Sequence, residues 1–389
     1  MTDYMVDSTE LTSIANAIRA KSGKTEQLIF PGGFMSEINS FQIAPEKYIT
    51  ETYDETTGAA LTAELHGYTN VPSMVFAYQT SLTNVSLPND ITSIGVGAFG
   101  QCLKLALTSL PSGITSIGDQ AFYYCPSLAL TSLPSGVTSI GENTFDTCAS
   151  LALTSLPSGV TSIGKNAFKS CKSLALTSLP SGLTSIGESA FANCTNLALT
   201  SLPSGITSIP SNLFDGCSNL ALTSLPSGVT SIGSNAFTGC ANLALTELPS
   251  GITSTGYGAF SKCTNLALSS LPSGLTTIDD FAFNRCTSLA LTSLPSGLTT
   301  IGSFAFYDCT SLSITSIPSG VTYIDSDAFY NCTSLTSITF KGTPKRIKSS
   351  AFDGCTNLTS IKVPWAQGAV SGAPWGATNA TITYNYTGA

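Results

Sequence analysis

The chain has 389 residues and a net charge of −8, with only 10% of residues charged and 42% hydrophobic. That acidic balance excludes the clustered lysines and arginines that phosphate backbones and anionic lipid require, so neither nucleic acid nor a membrane surface is an expected partner. No run of about 18 apolar residues offers a bilayer span, and Met1-Thr2-Asp3-Tyr4 begins neither a basic n-region nor an apolar h-region, so a standard secretory signal is not expected here; either one has been removed or export uses another route.

In chain order, Asp7-Ser-Thr-Glu10 has the form of a capping box, and Leu11, Ile14, Ala15 and Ile18 share one helical face before Gly23. A second short helix is expected from Pro31 through Phe34, Ile38 and Phe41, making residues 1–43 a small helical element. Residues 44–67, with Tyr48-Ile49-Thr50 and Leu61-Thr-Ala-Glu-Leu65, read as a hairpin leading into the next region. Residues 68–90 form a degenerate coil in which Phe76 and Leu82 fit the period that follows, while Gln79 stands where a cysteine belongs.

The period is set by twelve cysteines, Cys102 to Cys355, each 23 residues from the next. A Phe precedes each by three positions and a Leu follows by three, as in Phe122, Cys125 and Leu128. Each unit holds two β-favouring apolar pieces, Ile114-Thr-Ser-Ile117 and Leu128-Ala-Leu130-Thr-Ser-Leu133 in one example, closed by a Pro-Ser-Gly turn. About 13 coils over residues 68–364 are expected, their strands in parallel register. One coil buries apolar side chains worth roughly 1.5–3 kcal/mol each, yet ordering costs roughly 1.5 kcal/mol per residue. A lone unit therefore does not fold, and stacking supplies the stability. At about 4.8 Å per coil the array would run on the order of 60 Å.

An even cysteine count invites six disulfides, but equivalent cysteines in stacked coils would have Cβ atoms about 4.8 Å apart against the roughly 3.8 Å a disulfide prefers. Buried free thiols are the expectation. Metal is not expected, because zinc needs closely spaced ligand pairs and His66 is the sole histidine. After the last coil, residues 365–389 carry both tryptophans, Trp365 and Trp375, and the alternating Ala380-Thr-Ile382-Thr-Tyr384, which suits a cap over the last open edge.

The recurring Ile-Gly-x-x-Ala-Phe-x-x-Cys-x-x-Leu, followed by Leu-Pro-Ser-Gly-[Val/Ile/Leu]-Thr-Ser-Ile, resembles the BspA-like leucine-rich repeat over about residues 68–364. The resemblance implies a β-rich leucine-rich-repeat solenoid with a parallel sheet. It also implies a surface or secreted protein of bacteria or protists that adheres to host proteins or other cells. The chain departs from the pattern inside the array: Leu82-Thr-Asn-Val85-Ser-Leu87 and Leu358-Thr-Ser-Ile361-Lys-Val363 keep the usual spacing, whereas interior coils such as Leu105-Ala-Leu107-Thr-Ser-Leu110 move one apolar residue forward. That leaves the interior strand register open. Thr255 in place of the second core Ile, and Pro210 in place of Gly, are local irregularities. Glu10-Leu-Thr-Ser-Ile-Ala-Asn-Ala-Ile-Arg-Ala-Lys and Phe30-Pro-Gly-Gly-Phe34 resemble an N-terminal module of phage and prophage structural proteins from gut Firmicutes. That likeness implies a tail-associated protein whose residues 1–43 serve virion attachment or homo-oligomerisation; the alternative is a simple cap for the array.

Variation among coils falls at six positions: two after Ile-Gly, two between Phe and Cys, two after Cys. Aromatics gather there toward the C-terminal side, with Phe281 and Phe304 equivalent on adjacent coils, Tyr307 and Tyr330 likewise, and Asp280 and Asp308 beside them. Aromatics bordered by polar groups form the candidate ligand-binding residues, the expected partner being a host or bacterial cell-surface protein or glycan. A row of hydroxyls at Thr108, Thr131, Thr154, Thr177, Thr200 and Thr223 offers a second candidate, a match to a repeating lattice, against a plain β-favouring solvated face. Catalysis has no foothold, there being no nucleophile elbow and no phosphate-cradling loop, so no enzyme and no cofactor are expected. A passive structural spacer is the alternative to a binding protein.

Overall fold

The computed structural model describes residues 47–54 and 60–388. The helices expected within residues 1–43 lie outside them. The chain divides into a unit of residues 1–48 and a unit of residues 49–389, and the second is a parallel-sheet solenoid of about 14 turns.

Its spine is the Ser-Ile piece of each unit. Twelve two-residue strands run from Asn70–Val71 to Arg346–Ile347, with an isolated bridge at Ser254 filling the one gap. Pairing is parallel at a strict offset of one unit, Ser93 to Ser116 and Ile94 to Ile117, so every Ile points inward at the same height. The residue after each Ile is usually Gly because the coils approach closely there. A Cβ on Gly187 or Gly233 would lie 2.4 Å from a backbone nitrogen of the preceding coil.

Behind the spine stands a stack of thirteen phenylalanines from Phe76 to Phe352, with ring centroids 5.1–5.8 Å apart and near-parallel planes. Beside it runs the cysteine ladder. All twelve thiols are free and buried, and each Sγ donates to the carbonyl of the preceding coil's Phe at 2.9–3.1 Å. Cysteine suits this position because it is small and apolar yet satisfies a buried carbonyl. Burial pushes every thiol upward, Cys102 and Cys355 at the two ends to about 12.

The second apolar piece departs from expectation. It is β-strand only toward the two ends of the solenoid, in the sheet Tyr48–Tyr53, Ala60–His66, Asn84–Ser86 and in the sheet Ser316–Ile317, Ser337–Phe340, Ser360–Lys362, Thr381–Thr383. In the coils between, the Leu-Ala-Leu-Thr-Ser-Leu run forms no strand. The spacing gives the reason. End coils place the alternating triplet late, as in Val85-Ser86-Leu87, and pleat there. Interior coils place it early, and both following residues, such as Thr131 and Ser132, turn outward, which breaks the period of two a strand needs. One backbone bond per junction remains over much of this stretch, for example Ala129 N–H to the Leu107 carbonyl at 3.1 Å.

The C-terminal segment closes the array as a further turn. Thr381–Thr383 pairs in parallel with Ser360–Lys362, and the Trp375 carbonyl accepts from Phe352 N–H at 2.8 Å. Both tryptophans are buried; Trp365 meets Phe340 edge-on at 5.2 Å and Trp375 at 6.3 Å.

Candidate binding surface

The variable positions lie on the turn that carries the Phe and Cys. There the backbone alternates handedness. In twelve consecutive coils the second residue after Ile-Gly (or its equivalent) has positive φ, from Met74 to Asp327, and in thirteen the residue before the Cys position does, from Tyr78 to Gly354, all between 52° and 73°. This geometry aims the intervening N–H groups at the next coil, as in Phe99 N–H to the Ala121 carbonyl and Gln101 N–H to the Tyr123 carbonyl. Left-handed backbone suits Gly, Asn and Asp and strains bulky residues. About half of these positions comply, with Asn143, Asn166, Asn212 and Asn235 in the first column and Asn193, Gly216 and Gly239 in the second. The recurrence of Asn and Gly at two fixed positions is the sequence signal for these columns, and reading the positions only as variable missed it.

Among the exceptions, Phe281 and Phe304 are the bulkiest in the first column, with φ of 58° and 57°. Holding a bulky side chain there costs on the order of 1–2 kcal/mol, so their presence is not explained by folding. They stack at 4.8 Å and 12°. The row extends from Phe281 to Tyr257 at 5.5 Å, from Phe304 to Tyr307 at 5.7 Å, and from Tyr307 to Tyr330 at 4.5 Å and 7°. The four aromatics expected from the sequence thus form one continuous strip, and Tyr257 joins it. That tyrosine follows the Thr255 irregularity, where the buried hydroxyl donates to Asp279 Oδ2 at 3.3 Å and accepts from Asp279 N–H at 3.0 Å.

The acids have different fates. Asp308 borders the strip, accepting from Asn331 Nδ2 at 2.8 Å and pairing with Arg285 Nε at 3.5 Å. Asp280 accepts from Ser303 N–H at 2.7 Å, which ties two coils together, so part of its role is structural. Desolvation, then the Asp308 carboxylate, raise the Tyr307 phenol above its ordinary range. Stacking covers one face of each ring in the two pairs. Arg285 and Asn331, unmarked in the sequence, complete the border.

Two other surfaces singled out among the described residues match this strip less well. The Thr108 to Thr223 row is exposed, but it lies on the face without strands, where no continuous sheet fixes a lattice spacing. A cleft of about 650 Å³ between Thr83–Leu87 and Ala106–Ser112 marks the change of register and is open and polar. Among the described residues no cluster of His, Cys, Asp or Glu could hold a metal ion, and no helix is long and apolar enough to cross a membrane.

Fold and surface together define a leucine-rich-repeat solenoid, an architecture for binding without a catalytic family behind it. The family model described as BspA type leucine rich repeat region matches overlapping stretches from residue 69 to residue 366. The chain belongs to that family. Among solved structures, a leucine-rich repeat protein from Bacteroides ovatus is 25% identical, with 86% of this chain and 98% of that one covered and a TM-score of 0.48. A leucine rich cell surface protein from Faecalibacterium prausnitzii is 30% identical, covering 77% and 96%, also with a TM-score of 0.48. A leucine rich repeat protein of T. pallidum is 27% identical over 50% of this chain and 88% of its own, with a TM-score of 0.32. No curated protein matches the chain.

Proposed function

We propose that this is a non-enzymatic adhesion or recognition protein, displayed on a cell surface or virion, whose C-terminal aromatic strip docks a cell-surface protein or glycan. The observation that carries the reading is the pair Phe281 and Phe304, two bulky rings held in strained left-handed backbone and stacked on the surface. Strained residues that folding does not need point to function, and Phe, Tyr and Arg at the centre of a surface are the residues that anchor interfaces. The BspA-type repeat and the cell-surface naming of the Faecalibacterium relative support surface display. The resemblance of residues 1–43 to phage structural modules supports a virion as carrier, with those residues as the attachment or oligomerisation end. The charged Arg285–Asp308 pair beside the rings favours a protein over a glycan at this strip.

The test is binding of labelled full-length protein to intact gut bacteria and to extracellular-matrix proteins, beside a variant carrying Phe281→Asn and Phe304→Asn and a truncation lacking residues 1–45. Saturable binding that survives the truncation and is lost in the double variant is expected. Binding lost with residues 1–45 alone would move recognition off the solenoid and favour a passive structural component.

A further inference from the structure

A second group of bulky residues occupies the same strained columns at the other end of the solenoid. Met74, Tyr78 and Tyr124 have φ of 59°, 66° and 55°, and their exposures of 51%, 62% and 45% put them among the most exposed large apolar residues described. Tyr78, Gln101 and Tyr124 are successive members of one column, all left-handed. The two tyrosines are therefore two coil rises, about 10 Å, apart. Beside Tyr78 lies a shallow dip of about 30 Å³ lined by Gly97, Gly100, Gln101, Gln120 and Tyr123, with Tyr124 outside it. The Met74 thioether lies across Gly97, where a Cβ would meet its sulfur at 2.4 Å.

Three properties separate this patch from the C-terminal strip. It carries no charged residue. Among the described residues Tyr78 has no ring partner and Tyr124 meets only Tyr123, tilted by 47° at 6.2 Å, so ring faces stay open. None of the phenols of Tyr78, Tyr123 and Tyr124 or the amides of Gln101 and Gln120 is hydrogen-bonded among the described residues, whereas Asp280 and Asp308 at the other end are engaged. Open aromatic faces take the C–H face of a pyranose, and uncharged amides and phenols donate to and accept from sugar hydroxyls. The absence of charge disfavours an acidic sugar, which needs a cation, and a phosphate likewise. The ladder Tyr78, Gln101, Tyr124 spans the length of about two pyranose rings.

We propose that the exposed column Tyr78, Gln101 and Tyr124 binds a neutral glycan, laid across the Gln101 amide with a tyrosine ring at either end. The inference does not rest on the C-terminal strip. The experiment is affinity electrophoresis of the full-length protein in gels containing a β-1,4-glucan, a β-1,3-glucan, an α-mannan or a galactan, with anionic polygalacturonate as control. Retardation by at least one neutral polymer and not by polygalacturonate is expected. The Tyr78→Asn/Tyr124→Asn variant, which places the residue other coils already use in this column, is expected to weaken retardation about tenfold or more while keeping its melting temperature, and Phe281→Asn/Phe304→Asn is expected to leave retardation intact. No retardation in any neutral gel, or retardation that survives in the tyrosine variant, overturns the proposal. Concentration-dependent dimers in sedimentation that the tyrosine variant abolishes also overturn it, assigning the patch to a second copy of the chain. Loss of cell binding in the phenylalanine variant alone concerns only the C-terminal strip.

Discussion

The middle coils, from Asn143 to Gly239, and the C-terminal coils, from Tyr257 to Tyr330, share one backbone, one phenylalanine stack and one cysteine ladder, and they differ in what fills the left-handed columns. Asparagine, serine, threonine and glycine dominate the first region; Phe281, Arg285 and Phe304 interrupt the second. Since the frame is the same, the C-terminal choices are additions to it that work against its local preference. The comparison separates what the repeat needs from what its surface is for.

Alkali tests the shared part most strongly. An unfolded thiol ionises around 9.0, while the buried thiols are held well above that, to about 12 at the ends. Folded values are raised, so the stabilisation is complete below about pH 9 and falls as pH climbs toward the folded values. Each thiol contributes up to about 1.4 kcal/mol per pH unit. Thermal melts should drop steeply between pH 9 and 10.5. At pH 8 alkylation of the native protein should be negligible, and all twelve cysteines should label in denaturant without reductant; fewer than about ten would contradict the free-thiol ladder. Next in size, Phe191→Ala in the middle and Phe283→Ala beside the strip should each cost about 3–5 kcal/mol, and unequal losses in denaturant titrations would show that the frame is not shared. Moving the strip is a sharper test. Asn212→Phe with Asn235→Phe recreates the strained pair in the middle and should cost roughly 1–2 kcal/mol per site, with no gain in cell binding. The reverse change, Phe281→Asn with Phe304→Asn, removes strain and a stack of about 0.5–1.5 kcal/mol together, so stability should hold within about 1 kcal/mol while binding is lost. Smallest of all, Arg285→Ala breaks an exposed pair worth no more than about 1 kcal/mol, and its effect should appear in binding alone.

Much of this was legible beforehand. The 23-residue cysteine spacing with its fixed Phe and Leu gave away the array, and Phe281, Phe304, Tyr307 and Tyr330 were visible as a cluster because equal positions in adjacent coils must be neighbours. Two things were hidden. The handedness of the turn is a backbone property that shows only as a taste for Asn and Gly, diluted here by Gln101, Lys262 and Arg285. The missing interior strands depend on where an alternating triplet sits after the turn, a shift of one residue that leaves composition untouched. Tyr78 and Tyr124 escaped notice because Gln101 intervenes, and a patch that skips a coil does not look like a row.

The cap has a consequence of its own. Trp365 and Trp375 close the last coil on one side only, and interior junctions repeat largely the same set of contacts at an offset of 23 residues. A genetic exchange between the near-identical Leu-Pro-Ser-Gly-Val-Thr-Ser-Ile stretches would therefore add or remove whole coils without disturbing either end. Descendants of this gene can lengthen, shorten or reposition their recognition surface in single recombination events, so the number of coils is a quantity that selection is free to set.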